Sequence, residues 1–284
     1  MQRIKMKLLL SLLVLNFCFY NCHAEPLPSA RLAIIIDDLG NSLSQGLDAI
    51  ALPGNITFAV MPHRKFSTKL ARRAGRLGKE VLLHAPMSTI TQRNLGPGAL
   101  HEKLNEKQFK DRLTFAIYNT PYIRGVNNHM GSLLTTQSQA MTWVMEVLKD
   151  KDLFFVDSRT SAQSKGYAIA LKHGLNSAQR DIFLDHQLDI DHIHVQFKKA
   201  LAIAQTYGSA IAIGHPHKST LFYLENVLPQ LEGSNVTLHS VSDLLNFGIK
   251  PRPASSRERK PLPHEELDNL IKHLSQANRH LTAL

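Results

Sequence analysis

The chain has 284 residues, 43% of them hydrophobic, and carries 33 Lys and Arg against 23 Asp and Glu, a formal net charge of +10. A chain this long can bury a core without disulfides, and its two cysteines, Cys18 and Cys22, both fall within the first two dozen residues. Thiol catalysis and cysteine-ligated zinc are thereby excluded from the rest of the chain, and scattered cations without an aromatic-interleaved basic stripe argue against nucleic acid as a partner.

Residues 1–24 read as a secretory signal peptide. Arg3, Lys5 and Lys7 precede an apolar run over 8–20 that is too short to span a bilayer comfortably, and His23-Ala24 offers a small-residue cleavage pattern before Glu25. An uncleaved anchor is the alternative. Removing the three cations of this segment lowers the charge from +10 to +7, and the mature protein is expected in the periplasm or otherwise exported.

From Pro28 onward, short apolar or β-branched runs alternate with amphipathic segments. The runs lie at 32–36, 56–60, 81–84, 123–127, 153–157, 181–184, 210–214 and 236–240; helical spacing appears over 66–77, 106–118, 137–148, 193–207 and 221–231. Most runs are apolar on both faces, as a parallel sheet covered by helices requires. The alternation predicts an α/β fold. Seven or eight such units within 25–248 predict an irregular (β/α) barrel of mainly parallel strands, with an open doubly wound sheet as the alternative. Pro251, Pro253, Pro261 and Pro263 then flank a basic cluster and mark 249–263 as a solvated linker. In 264–284, Leu267, Leu270, Ile271 and Leu274 have the spacing of an amphipathic helix. It packs on the domain, is simply mobile, or binds a protein partner in the envelope.

The C-terminal ends of the strands carry the chemistry. Parallel α/β folds gather their sites there, because these ends converge on one face. In order they present Asp37-Asp38, His63, His84, Asn127-Asn128-His129, Asp157-Ser158-Arg159, Asp185-His186 and His215-Pro-His217. One Asp and two His can hold a divalent metal facially with positions left open. A second carboxylate can take a proton from water, and an imidazole across the site can protonate a leaving group. Adjacent side chains of an extended strand point differently, so one residue of the Asp37–Asp38 pair can ligate while the other serves as base. One of them can also cap the helix that follows Leu39-Gly-Asn-Ser.

Six segments resemble the divergent polysaccharide deacetylases: Ile34-Ile-Ile-Asp-Asp-Leu-Gly40, Leu82-Leu-His-Ala-Pro-Met87, Asn94-Leu-Gly-Pro-Gly-Ala-Leu100, Gly125-Val-Asn-Asn-His-Met-Gly-Ser132, Phe154-Phe-Val-Asp-Ser-Arg159 and Ala212-Ile-Gly-His215. The resemblance spans roughly 31–247 and implies a NodB-like barrel related to carbohydrate esterases. It further implies that Asp37 is the general base and that Asp38 and His84 bind a divalent metal, zinc by the family's habit. Better-known members carry the second metal histidine where this chain has Ser88; His129, at the next strand end, is the candidate replacement. His215 resembles the histidine that acts as acid, with His217 a weaker alternative. Asp157 and Arg159, with Asn128 and His217, are expected around the ligands or against substrate. The implied reaction removes an N- or O-acetyl group from an envelope glycan, using metal-activated water. A catalytically silent factor that binds glycan or protein on the same fold is the alternative.

Overall fold

A computed structural model describes residues 30–248 together with Glu265, Asp268, Asn269 and Lys272. The expected signal peptide, the linker and most of the C-terminal helix lie outside the described residues. Among these residues, no helix is long and apolar enough to cross a membrane.

Among the described residues, nine strands form one sheet: β1 (Ala30–Leu39), β2 (Thr57–Val60), β3 (Glu80–Met87), β4 (Ile123–Met130), β5 (Phe154–Asp157), β6 (Ser177–Gln179), β7 (Ile182–Phe183), β8 (Ser209–Gly214) and β9 (Val236–His239). The helices are α1 (Leu43–Ile50), α2 (Ser67–Arg76), α3 (Glu106–Asn119), α4 (Ser138–Asp150), α5 (Gly166–Lys172), α6 (Ile190–Tyr207), α7 (Lys218–Val227) and α8 (Val241–Asn246). The strand order is β6-β5-β4-β3-β2-β1-β8-β7, with β9 beside the first half of β1, and the neighbouring strands run parallel. The sheet curls so far that 177–184 serves both its edges. Gln179 pairs with Asp157 on β5, whereas Asp181 N and Leu184 N donate to Ile211 and Ile213 of β8. The outcome is the irregular NodB-like barrel, not the open doubly wound sheet.

Two-residue alternation sorts each strand between helices and barrel interior. On β1, Leu32, Ile34 and Ile36 join the outer core with Phe197 and Leu201 of α6. Ala33 and Ile35 face inward, with Ala59, Leu82, Val156, Ala178, Ile211 and Ile213. Val241 and Leu244 of α8 complete that inner cluster and plug the lower end. Glu80 holds the plug by accepting from Val241 N and Ser242 N. Continued one step up the strands, the same inward face carries Asp37, His84 and Asn127. The interior is therefore apolar below and polar only at its upper rim, where burial has to be compensated by partners.

The C-terminal segment meets the barrel through Asp268. Its carboxylate accepts from Nε2 of the buried His194 at 2.7 Å and from Lys198 Nζ at 2.8 Å, and His194 Nδ1 lies 3.0 Å from the hydroxyl of the buried Tyr223. Asp268→Ala strands the imidazole without its acceptor. The expected loss is about 1–3 kcal/mol of stability, read as a lower Tm in a thermal melt; an unchanged Tm would show that this contact adds nothing.

Candidate metal centre and its acid–base partners

Asp37 and Asp38 are adjacent, yet both reach the same centre. A regular strand would turn Asp38 outward. Instead the β1–β2 register slips between Ile36 and Leu39, and Asp38 adopts a left-handed backbone with φ of 62°. Such a conformation costs a non-glycine residue roughly 1–2 kcal/mol, least for Asp and Asn. This irregularity swings the second carboxylate back over the barrel mouth. The helix-cap alternative does not apply to either aspartate, because Ser42 caps α1.

His84 ends the inward row of β3, and His129 stands opposite Pro86 on β4. The donor atoms converge: His129 Nδ1 lies 2.9 Å from Asp38 Oδ1, His84 Nε2 lies 3.2 Å from the same oxygen, and the two nitrogens are 3.2 Å apart. A zinc ion bonded to each at about 2.0–2.2 Å needs donors about 3.3–3.6 Å apart at tetrahedral angles and about 2.8–3.1 Å at right angles, and the triangle falls between the two. Asp38 Oδ1 is buried against the two imidazole nitrogens without meeting regular hydrogen-bond geometry, an arrangement of three donors that suits a cation between them. Ser88 takes no part, since its hydroxyl donates to Glu102 Oε2 at 2.7 Å.

Asn127, noted at a strand end in the sequence but given no role, ties Asp37 to the His84 imidazole. Its Nδ2 donates to Asp37 Oδ1 at 2.7 Å, so its Oδ1 faces His84 Nδ1, also at 2.7 Å. Nδ1 of His84 is therefore the donor to Asn127, leaving Nε2 aimed at Asp38. Asn128, expected beside substrate, points to the other face of β4. It accepts from Ser158 N and donates to Met130 O, clamping two strand ends together. Asp157 also turns outward. Its oxygens accept from Arg159 N, Ser164 Oγ and Tyr167 N, which organises the loop into α5. The Arg159 guanidinium donates to Gln179 Oε1 and Ala162 O. These three side chains shape the walls of the barrel mouth, and the contacts they make are structural.

Across the mouth, His215 follows β8. Its Nδ1–H donates to Asp185 Oδ1 at 2.9 Å, and Asp185 Oδ2 accepts from His215 N at 2.6 Å and Thr220 Oγ1 at 2.8 Å. Sequence reading noted Asp185 at a strand end but gave it no role. His217 is exposed, its ring centroid 5.9 Å from that of His215. A cleft of about 160 Å³ joins the two sides, lined by Asp38, Asn41, Gln45, His215 and His217. Larger hollows of about 520 and 650 Å³ lie around Ile123, Arg124, Ser242 and Asp243, at the opposite end of the barrel from the acids and imidazoles.

The electrostatics separate the two aspartates. Burial pushes the Asp37 carboxyl above its ordinary value, against the opposing pull of His84, His215 and Asn127. Burial acts the same way on Asp38, but the imidazoles of His129 and His84 outweigh it and hold this carboxyl well below the usual range. Burial lowers His215, yet Asp185, Asp37 and Asp38 prevail and raise it to about 9. One acid is thus poised to accept a proton, one stays ionised, and one imidazole stays protonated at neutral pH.

Comparison with known proteins agrees with this architecture. Residues 34–245 match the family model described as divergent polysaccharide deacetylase. The uncharacterized protein YibQ of Escherichia coli K12 is 34% identical over 233 residues, covering 82% of this chain and 73% of that protein. An uncharacterized protein of Haemophilus influenzae is 37% identical over 202 residues, covering 71% and 72%. The crystal structure of the uncharacterized protein ATU2773 from Agrobacterium tumefaciens C58 superposes with a TM-score of 0.74 at 25% identity, over 76% of this chain and 89% of that one. With six motifs in order, a parallel barrel and a match over most of its length, the chain belongs to the divergent polysaccharide deacetylase family.

Proposed function

We propose that the protein is an exported metal-dependent hydrolase that removes acetyl groups from an envelope glycan. The observation that carries the reading is the triangle of Asp38 Oδ1, His84 Nε2 and His129 Nδ1, with a buried carboxylate oxygen at one corner. Asp38, His84 and His129 would hold a divalent ion, zinc by the chemistry of one carboxylate and two imidazoles. Bound there, such an ion supplies Lewis acidity, lowering the pKa of water and polarising a carbonyl.

The remaining steps belong to the chain's own groups. Asp37, with Oδ1 held by Asn127, takes the proton of the attacking water as general base. His215, its Nδ1–H fixed on Asp185, keeps Nε2 for the leaving nitrogen or oxygen and donates the proton that releases the sugar. The half-exposed mouth and its polar rim suit a glycan end better than an apolar ligand. Export rests on the N-terminal segment, and an envelope glycan is the substrate class that location offers.

Purified mature protein is expected to hold about one tightly bound divalent ion per chain. Replacing Asp38, His84 and His129 together by Ala should remove it, as measured by elemental analysis after exhaustive dialysis. Unchanged metal content in that variant would refute the donor set. Acetate release from acetylated envelope glycans tests the reaction itself. A loaded protein that releases none across a broad panel favours the silent, glycan-binding alternative.

A further inference from the structure

A second group of donors stands beside the first. Asp185, His215 and His217 each offer a ligand atom within 4.8 Å of the others. Asp185 is fully buried, and its two oxygens are unequally used. Oδ2 accepts twice, from His215 N and Thr220 Oγ1, whereas Oδ1 accepts only from His215 Nδ1. A carboxylate oxygen has capacity for a further partner. Pro216 lies between the two histidines, and His217 N donates to His215 O at 2.8 Å, so a tight turn carries both rings. His217 opens into the same cleft as Asp38.

We propose that Asp185, His215 and His217 form a second, weaker site for a borderline transition-metal ion such as zinc or nickel, and that filling it inactivates the acid. Two imidazoles and one carboxylate suit such ions. Entry replaces the proton on His215 Nδ1: the N–H bond breaks, a nitrogen–metal bond forms, Asp185 Oδ1 turns from proton acceptor to ligand, and the proton leaves to water. His215 then remains on the site as an ion-bound imidazole that no longer serves as the proton donor. The same ion would thus complete the centre at Asp38 and, in excess, silence His215. The inhibitory half of this inference rests on the acid role proposed for His215; the binding half does not.

Equilibrium dialysis of the full mature chain against zinc, and separately nickel, tests it. The wild-type chain is expected to take up two ions, the second more weakly. His217→Ala and His217→Gln should lose the second and keep the first. The variant lacking Asp38, His84 and His129 should keep only the weak one. A wild-type chain that saturates without a weaker ion, or His217 variants that keep it, overturns the proposal. If the reading of the first centre is what fails, wild type and triple variant bind alike, and the loss on changing His217 remains readable. Where acetate release is measurable, raising zinc from one to two equivalents should suppress it in the wild type and not in His217→Gln. Equal suppression in both overturns the inhibitory half.

Discussion

Asp37→Asn is expected to lower acetate release by roughly 10²–10⁴-fold, the usual contribution of a positioned general base, while metal content stays at the wild-type level. The two readouts separate because Asp37 and Asp38 occupy different places. Asp38 closes the donor triangle, whereas Asp37 Oδ2 lies 3.7 Å from His84 Nε2 and its Oδ1 is engaged by Asn127. The amide fills the same volume and cannot accept the proton. Loss of metal together with activity would show that Asp37 is a ligand, and the division of labour would have to be redrawn.

His215→Ala should cost a comparable factor, about 10²–10⁴, and Asp185→Asn is the more informative change. In its proposed role His215 acts in its protonated form, so activity should be retained below its pKa and lost as pH rises through about 9. Asp185→Asn removes a charge that holds the proton, and the alkaline limb should move down toward the ordinary histidine value of about 6.5. An alkaline limb unmoved by Asp185→Asn would deny His215 its role as acid. The same shift has a stability consequence of defined sign. The folded-state pKa is raised, so this group's contribution is full below about 6.5 and disappears as pH climbs through about 9.

The barrel was legible because its strands are short apolar runs and its helices carry a clear period. Runs such as 32–36 and 210–214 admit few readings other than buried parallel strands. The short pieces were not legible. Three-residue β6, seven-residue α5 and the α8 plug owe their form to neighbours, because too few local bonds are available to specify them. Within the site, the His84 and His129 positions followed from strand ends. Asn127 was noted at its strand end but the role went to Asn128, although counting back two residues from His129 would have placed Asn127 on the same face and Asn128 on the other. That both aspartates serve one centre was expected from the pair, but the backbone route that brings Asp38 there could not be read. It depends on a register slip and a positive φ at Asp38, which no local pattern in Ile34-Ile-Ile-Asp-Asp announces.

The closing segment 177–184 divides the site mechanically. Asp38, His84 and His129 stand on β1, β3 and β4, inside an unbroken run of paired strands. Asp185 follows directly after the segment that is shared between β5 and β8, and His215 leans on it. The molecule therefore has a seam, and the proposed acid rides on its lip while the donor triangle sits on the stave opposite. Loosening the seam is expected to disturb His215 before the triangle, so the two halves of the proposed chemistry should fail separately.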